Sequence, residues 1–209
     1  MLANFSIDFV KIIERTNFVS FVETIFSIFK EIFQTALISL AIFFFVYILL
    51  VQPHRVKGDS MLPNFHDGEL LLTEKVTYYI YKPRRGDVIV FKAPQRNVDF
   101  IKRVVGLPGD TVKIEDGTVV INDERLKEPY ETQKTQGSAT VVLGPEEYFV
   151  LGDNRGSSSD SRSFGPIKRS AVKGRVWLVY WPIPQSGSSG GFRAVSGVDY
   201  GIPDAFYDR

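Results

Sequence analysis

The run Thr111–Ile121, "TVKIEDGTVVI", decides how this chain is read. Two segments rich in β-branched residues flank an Asp116-Gly117 step. Branched side chains suit a pleated strand, and Asp-Gly supplies the positive φ angles of a tight hairpin turn. Working outward, "ELLLTEKV", "DVIVF", "FIKRVV", "YFVLG" and "RVWLVYW" have the same character. Turn chemistry separates them at Arg85-Gly86-Asp87, Pro108-Gly109-Asp110 and Asn122-Asp123. No helical period interrupts these segments, so residues 53–184 are expected to form a mainly β domain.

On the N-terminal side the pattern breaks. Ile32–Val51, "IFQTALISLAIFFFVYILLV", carries no charge. About twenty helical residues span the ~30 Å hydrocarbon core of a bilayer, so a single transmembrane helix is expected over residues 32–52. Residues 1–31 mix Phe, Ile and Val with charges, and Phe18, Phe21, Val22, Ile25, Phe26 and Phe29 recur at helical spacing. That segment reads either as an interfacial amphipathic helix or as an extension of the span. Lysine and arginine flank the apolar run on both sides, so charge does not set the orientation. At the other end, residues 185–209 open as a Gly/Ser-rich linker and close as a short tail with no visible chemistry.

Composition removes several functions. The 209 residues carry a net charge of +1, which gives no electrostatic case for nucleic acid. Cysteine is absent, so thiol catalysis, disulfides and cysteine-rich zinc sites are excluded. The two histidines, His54 and His66, form no ligand cluster; no metal or other cofactor is expected, and both read as ordinary surface or interfacial residues.

A serine nucleophile then needs another base. In "FIKRVV", Phe100, Lys102 and Val104 share one face, and Ile101, Arg103 and Val105 share the other. Alternation does not choose between the two cations, but chemistry does. Arginine stays protonated, whereas a desolvated lysine shifts toward neutrality. Lys102 is therefore the candidate base, and Arg103 calls for a carboxylate. The ordinary alternative is an edge strand with both side chains in solvent. The stretch "LGDNRGSSSDSRSFGPI" supplies Asp153, Asp160, Arg155 and Arg162, charges able to pair with one another or with Arg103.

Four ordered motifs, "GDSMLPNF", "RGDVIVF", "FIKRVVGLPGD" and "GDNRGSSSDSRSFG", follow the apolar run. Together they resemble the boxes of bacterial type I signal peptidases, over roughly residues 32 to 182. The resemblance implies an antiparallel, barrel-like β domain, with Ser60 as nucleophile and Lys102 as general base. It also implies that Ser158 hydrogen-bonds and orients the base, and that Asp153, Arg103, Asp160 and Arg162 form bracing ion pairs. Where some members have a serine that helps hold the oxyanion, this chain has Gly58. The Ser60 N–H is then left with most of that work, with help from the Gly58 backbone or a water. Ser157 stands where some members have asparagine.

By the same resemblance, the substrates are signal-peptide-bearing precursors cut after Ala-x-Ala-type sites. Val56, Met61, Phe65, Phe100 and Ile101 would line the shallow apolar pockets. The implied setting is a cell membrane crossed once, with the catalytic domain on the extracytoplasmic side. Its partners would be the lipid bilayer and the secretion machinery. Rival readings are a self-cleaving Ser–Lys regulator and a membrane-anchored binding module.

Overall fold

The computed structural model describes residues 2–94, 96–129, 133–181 and 192–197. The chain divides into two units, residues 1–49 and 50–209.

The first unit is one helix, α1 (Leu2–Leu50). It runs without a break from Leu2 through residue 31 into the apolar run. Within it, Phe21–Ile48 is long and apolar enough to cross a membrane by length and composition. Phe26, Phe29, Phe33, Phe43, Phe45 and Ile48 are all exposed, as expected of a helix that is apolar all round. The expected span 32–52 ends two residues too late. Val51 and Gln52 already belong to β1 (Val51–Arg55), because Pro53 cannot continue a helix and the segment pairs with the next strand.

The second unit is built from antiparallel sheets. One has the order β1-β2-β11-β3-β4-β9-β10, with β12 attached to β11. Its members are β2 (Leu70–Glu74), β3 (Val88–Lys92), β4 (Asp99–Gly106), β9 (Glu147–Leu151), β10 (Ile167–Lys168), β11 (Val172–Trp181) and β12 (Arg193–Ala194). The other sheet, ordered β7-β6-β5-β8, contains β5 (Thr111–Glu115), β6 (Thr118–Ile121), β7 (Glu124–Arg125) and β8 (Ala139–Val142). Two short helices, α2 (Thr77–Ile80) and α3 (Ser161–Phe164), complete the described elements apart from a single 3-10 turn.

The opening hairpin forms as read. Glu115 pairs with Thr118, and the two turn residues take φ angles of 52° and 79°. This sheet closes on an apolar core of Val112, Ile114, Val119, Ile121 and Leu126 against Val105, Phe149 and Leu151. A second core, with Val56, Met61, Phe65, Leu71, Val88 and Val90, underlies the Ser60 loop.

The C-terminal segment departs from the expected linker and tail. Residues 182–191 and 198–209 lie outside the described residues, but 192–197 is not a featureless linker. Ala194 and Arg193 pair with Leu178 and Val179, and the Val195 N–H donates to the Trp177 carbonyl at 2.8 Å. Backbone pairing and the packing of Val195 against the second core hold this segment down.

Candidate active site

The loop after β1 begins and ends in one backbone clasp. Val56 N–H donates to the Glu69 carbonyl at 2.8 Å, and Gly68 N–H to the Val56 carbonyl at 3.0 Å. Within the loop, Met61 and Phe65 are buried in the core and act as plugs, leaving Ser60 at the turn between them and Gly58. The segment 152–154 holds that turn from the far side. Asn154 N–H donates to the Ser60 carbonyl at 3.1 Å, and Asn154 Nδ2 to the Asp59 carbonyl at 3.0 Å. Gly152 makes the approach possible: a Cβ there would fall 2.5 Å from the Ser60 carbonyl oxygen and 2.2 Å from Ser158 Oγ.

Lys102 comes from the middle of β4, opposite Ile89 of β3. Its Nζ lies 2.7 Å from Ser60 Oγ and 2.8 Å from the Ile101 carbonyl. It also sits 5.5 Å from the Phe100 ring centre. The residue is only 3% exposed. Burial lowers its pKa from the ordinary lysine value to about 8, while Asp160 and Asp153 pull the other way. A neutral amine is therefore within reach of mildly alkaline solution.

Arg103 is equally buried, and its charge is met. Nε and Nη2 grip the two Asp153 oxygens at 2.8 and 2.6 Å, and Nη1 donates to the Gly86 carbonyl at 2.9 Å. Asp153 also accepts from Asn64 Nδ2 at 2.9 Å, which ties the arginine pair to the Ser60 loop. Asp160 accepts from Arg162 Nε and Nη2, both at 2.8 Å, and from the Gly152 N–H at 3.1 Å. Arg155 turns away to Glu128 and Thr135.

Several expectations differ from the structure. Ser158 Oγ is buried with no hydrogen-bond partner among the described residues, so it does not bond Lys102, whose amine contacts Ser60 Oγ and the Ile101 carbonyl instead. Gly58 is no oxyanion donor, since its φ of 78° directs its N–H to Asp67 Oδ1 at 2.7 Å. The Ser60 N–H donates to no group among the described residues. Finally, Met61 and Phe65 do not line the cleft beside Ser60, because the core takes both.

That cleft, about 250 Å³, runs between residues 54–57 and 99–102. Val56, Phe100 and Ile101 line it as expected. Leu71, Val90, Asp99 and His54 line it as well, beyond what the motifs indicate. Leu71 and Val90 carry no signal beyond core strand composition. His54 is not an ordinary surface residue: it is mostly covered, and burial holds its imidazole below the usual histidine range. Among the described residues no cluster of three or more acidic or histidine side chains could hold a metal ion.

A serine hydroxyl beside a dry amine at the edge of a cleft is an arrangement in which a neutral lysine can accept the hydroxyl proton. A family model described as signal peptidase, peptidase S26, matches residues 29–181. Signal peptidase I of Bacillus licheniformis is 36% identical over 71% of this chain and 87% of its own. Signal peptidase I T of Bacillus subtilis is 36% identical, over 73% of this chain and 83% of its own. Signal peptidase IB of Staphylococcus aureus is 34% identical, over 75% and 93%. A crystal structure of signal peptidase I from Enterococcus faecalis, 36% identical, matches 46% of this chain and 97% of its own with a TM-score of 0.42. The chain belongs to the S26 family of signal peptidases, serine peptidases that cleave signal peptides from precursor proteins.

Proposed function

We propose that the chain is a membrane-anchored signal peptidase in which Ser60 is the nucleophile and Lys102 the general base, cutting precursors after Ala-x-Ala-type sites. The observation that carries this reading is the 2.7 Å separation of Lys102 Nζ and Ser60 Oγ, with the amine buried and its pKa lowered to about 8.

Neutral Lys102 takes the Ser60 proton as Oγ attacks the peptide carbonyl. The uncommitted Ser60 N–H faces the developing oxyanion. The lysinium then protonates the leaving amine as the peptide bond breaks. Water, deprotonated by the same amine, releases the acyl group and restores the serine. Asp153 and Arg103 brace the base strand against the Ser60 loop, and Asp160 with Arg162 braces the segment behind it.

The cleft supports an extended substrate. Residues 99–101 of β4 pair with β3 on one side, while pairing with β9 begins only at Arg103. β1 pairs with β2 alone among the described residues. A precursor segment added as a strand between these free edges would place small side chains over Val56, Phe100 and Ile101. Helix α1 would anchor the enzyme in a cell membrane as a single span, with the β unit on the extracytoplasmic side. Membrane tethering raises the local concentration of substrates that are themselves embedded by their signal peptides. The bilayer and the secretion machinery are the expected partners.

The test is incubation of the detergent-solubilised full chain with a precursor bearing an Ala-x-Ala site. Wild type should release the mature protein. Ser60→Ala and Lys102→Ala should each lose processing while retaining the β-sheet signal in circular dichroism. Processing by either folded variant would overturn the assignment.

A further inference from the structure

The strand β12 lies beyond the stretch that the family model matches, yet it reaches the nucleophile loop. Arg193 Nη1 and Nη2 grip the two oxygens of Glu69, each at 2.8 Å. Nη2 also donates to the Asn64 carbonyl at 2.6 Å, and the guanidinium lies 5.5 Å from the Phe65 ring centre. Glu69 is 1% exposed. A carboxylate that deep needs a cation and hydrogen bonds, and a planar guanidinium supplies both bidentately. Glu69 in turn accepts from the His66 N–H at 3.1 Å, so one buried pair fixes Asn64, Phe65, His66 and Glu69 together.

These residues form the half of the loop that follows Ser60. Phe65 N–H donates to the Met61 carbonyl at 2.9 Å, which transmits the fixation to the residue beside the nucleophile. Asn64 also carries the Asp153 contact. The loop is thus held at one end by segment 152–154 and at the other by Arg193. The strand pairing of β12 with β11 makes the second hold rigid.

We propose that Arg193 is a positioning residue for Ser60: from outside the family-matched domain, it locks the nucleophile loop so that Oγ stays against Lys102 and water stays away from the amine. This rests on the Ser60–Lys102 reading. Loosening the loop would move Oγ and wet the amine together. A displacement of about 1 Å at a reacting group can lower a rate by up to about a hundredfold.

The experiment compares full-length wild type, Arg193→Gln, Arg193→Lys and Ser60→Ala on the same Ala-x-Ala precursor, with melting curves showing each variant folded at the assay temperature. Arg193→Gln should lower kcat by about ten- to a hundredfold with KM nearly unchanged. The rising limb of its pH–rate profile should move to higher pH, because a wetted lysine regains its proton affinity. Arg193→Lys, which keeps a charge for Glu69 but not the fork, should fall between. A variant that merely folds less would lose rate equally at every pH and leave the limb in place. That result, or a wild-type rate in Arg193→Gln, would overturn the proposal. Processing by Ser60→Ala would instead bring down the nucleophile assignment, so the two failures are distinguishable.

Discussion

The two sheets of the β unit solve different problems. The β5–β6 hairpin sheet packs over an apolar cluster, Val112, Ile114, Val119, Ile121, Leu126 and Leu143, with one buried ion pair, Arg85–Asp110, at the start of β5. Around Ser60, by contrast, the interior is full of charge, with Glu69, Lys102, Arg103, Asp153 and Asp160 each under 5% exposed. Every one of those charges except Lys102 is held in an ion pair, through Arg193, Asp153, Arg103 and Arg162. Lys102 alone faces a neutral hydroxyl and a carbonyl. Stability in the first region comes from burial of apolar area. In the second, pairing keeps several buried charges tolerable so that one amine can be left dry and reactive.

Breaking the apolar region should affect folding and spare the chemistry. Ile121→Ala removes a fully buried side chain and should destabilise the β unit by about 2–5 kcal/mol, read as a lower denaturant midpoint. Below its melting range the variant should keep the wild-type pH profile for processing. A shifted profile would mean that the two regions are coupled.

Lys102→Met sharpens the contrast from the other side, with a smaller effect on stability. With its folded-state pKa lowered to about 8, Lys102 resists the proton that the unfolded chain accepts readily. Folding therefore bears the full penalty of a buried ammonium below about pH 8. That penalty fades as pH rises toward the unfolded lysine value of about 10.4. Lys102→Met should thus abolish processing yet gain up to about 3 kcal/mol at neutral pH, with the gain vanishing in strong alkali. Melting temperatures of the two proteins measured across pH would check it. A variant less stable than wild type at neutral pH would contradict a strained, dry amine.

This division also explains what the sequence made legible. The hairpin at Asp116-Gly117 and strands β2 to β6, β9 and β11 are local patterns, visible in branched residues and turn chemistry. β7, β8, β10 and β12 carry no such pattern, because each is short and defined by its partner. β1 was hidden by Pro53 and by its junction with the apolar run. At the site, residue chemistry and motif order pointed to Ser60, Lys102 and the charged set Arg103, Asp153, Asp160 and Arg162, but not to which carboxylate meets which arginine. The directions of side chains were not written there. Met61 and Phe65 plug the core because the loop doubles back on Val56, and Ser158 Oγ is buried without a partner among the described residues. Arg193 was invisible for a further reason: its carboxylate lies 124 positions away, and only the return of β12 to β11 joins them.

The central claim is that one buried amine takes the proton from Ser60. The most direct measurement is kcat/KM of the full chain on a precursor, followed from about pH 6 to about pH 10. A lysine base with a pKa lowered to about 8 predicts a rate that climbs roughly tenfold per pH unit at first and levels off just above that value. A flat profile, or one that levels off near the ordinary histidine value of about 6.5, would contradict it.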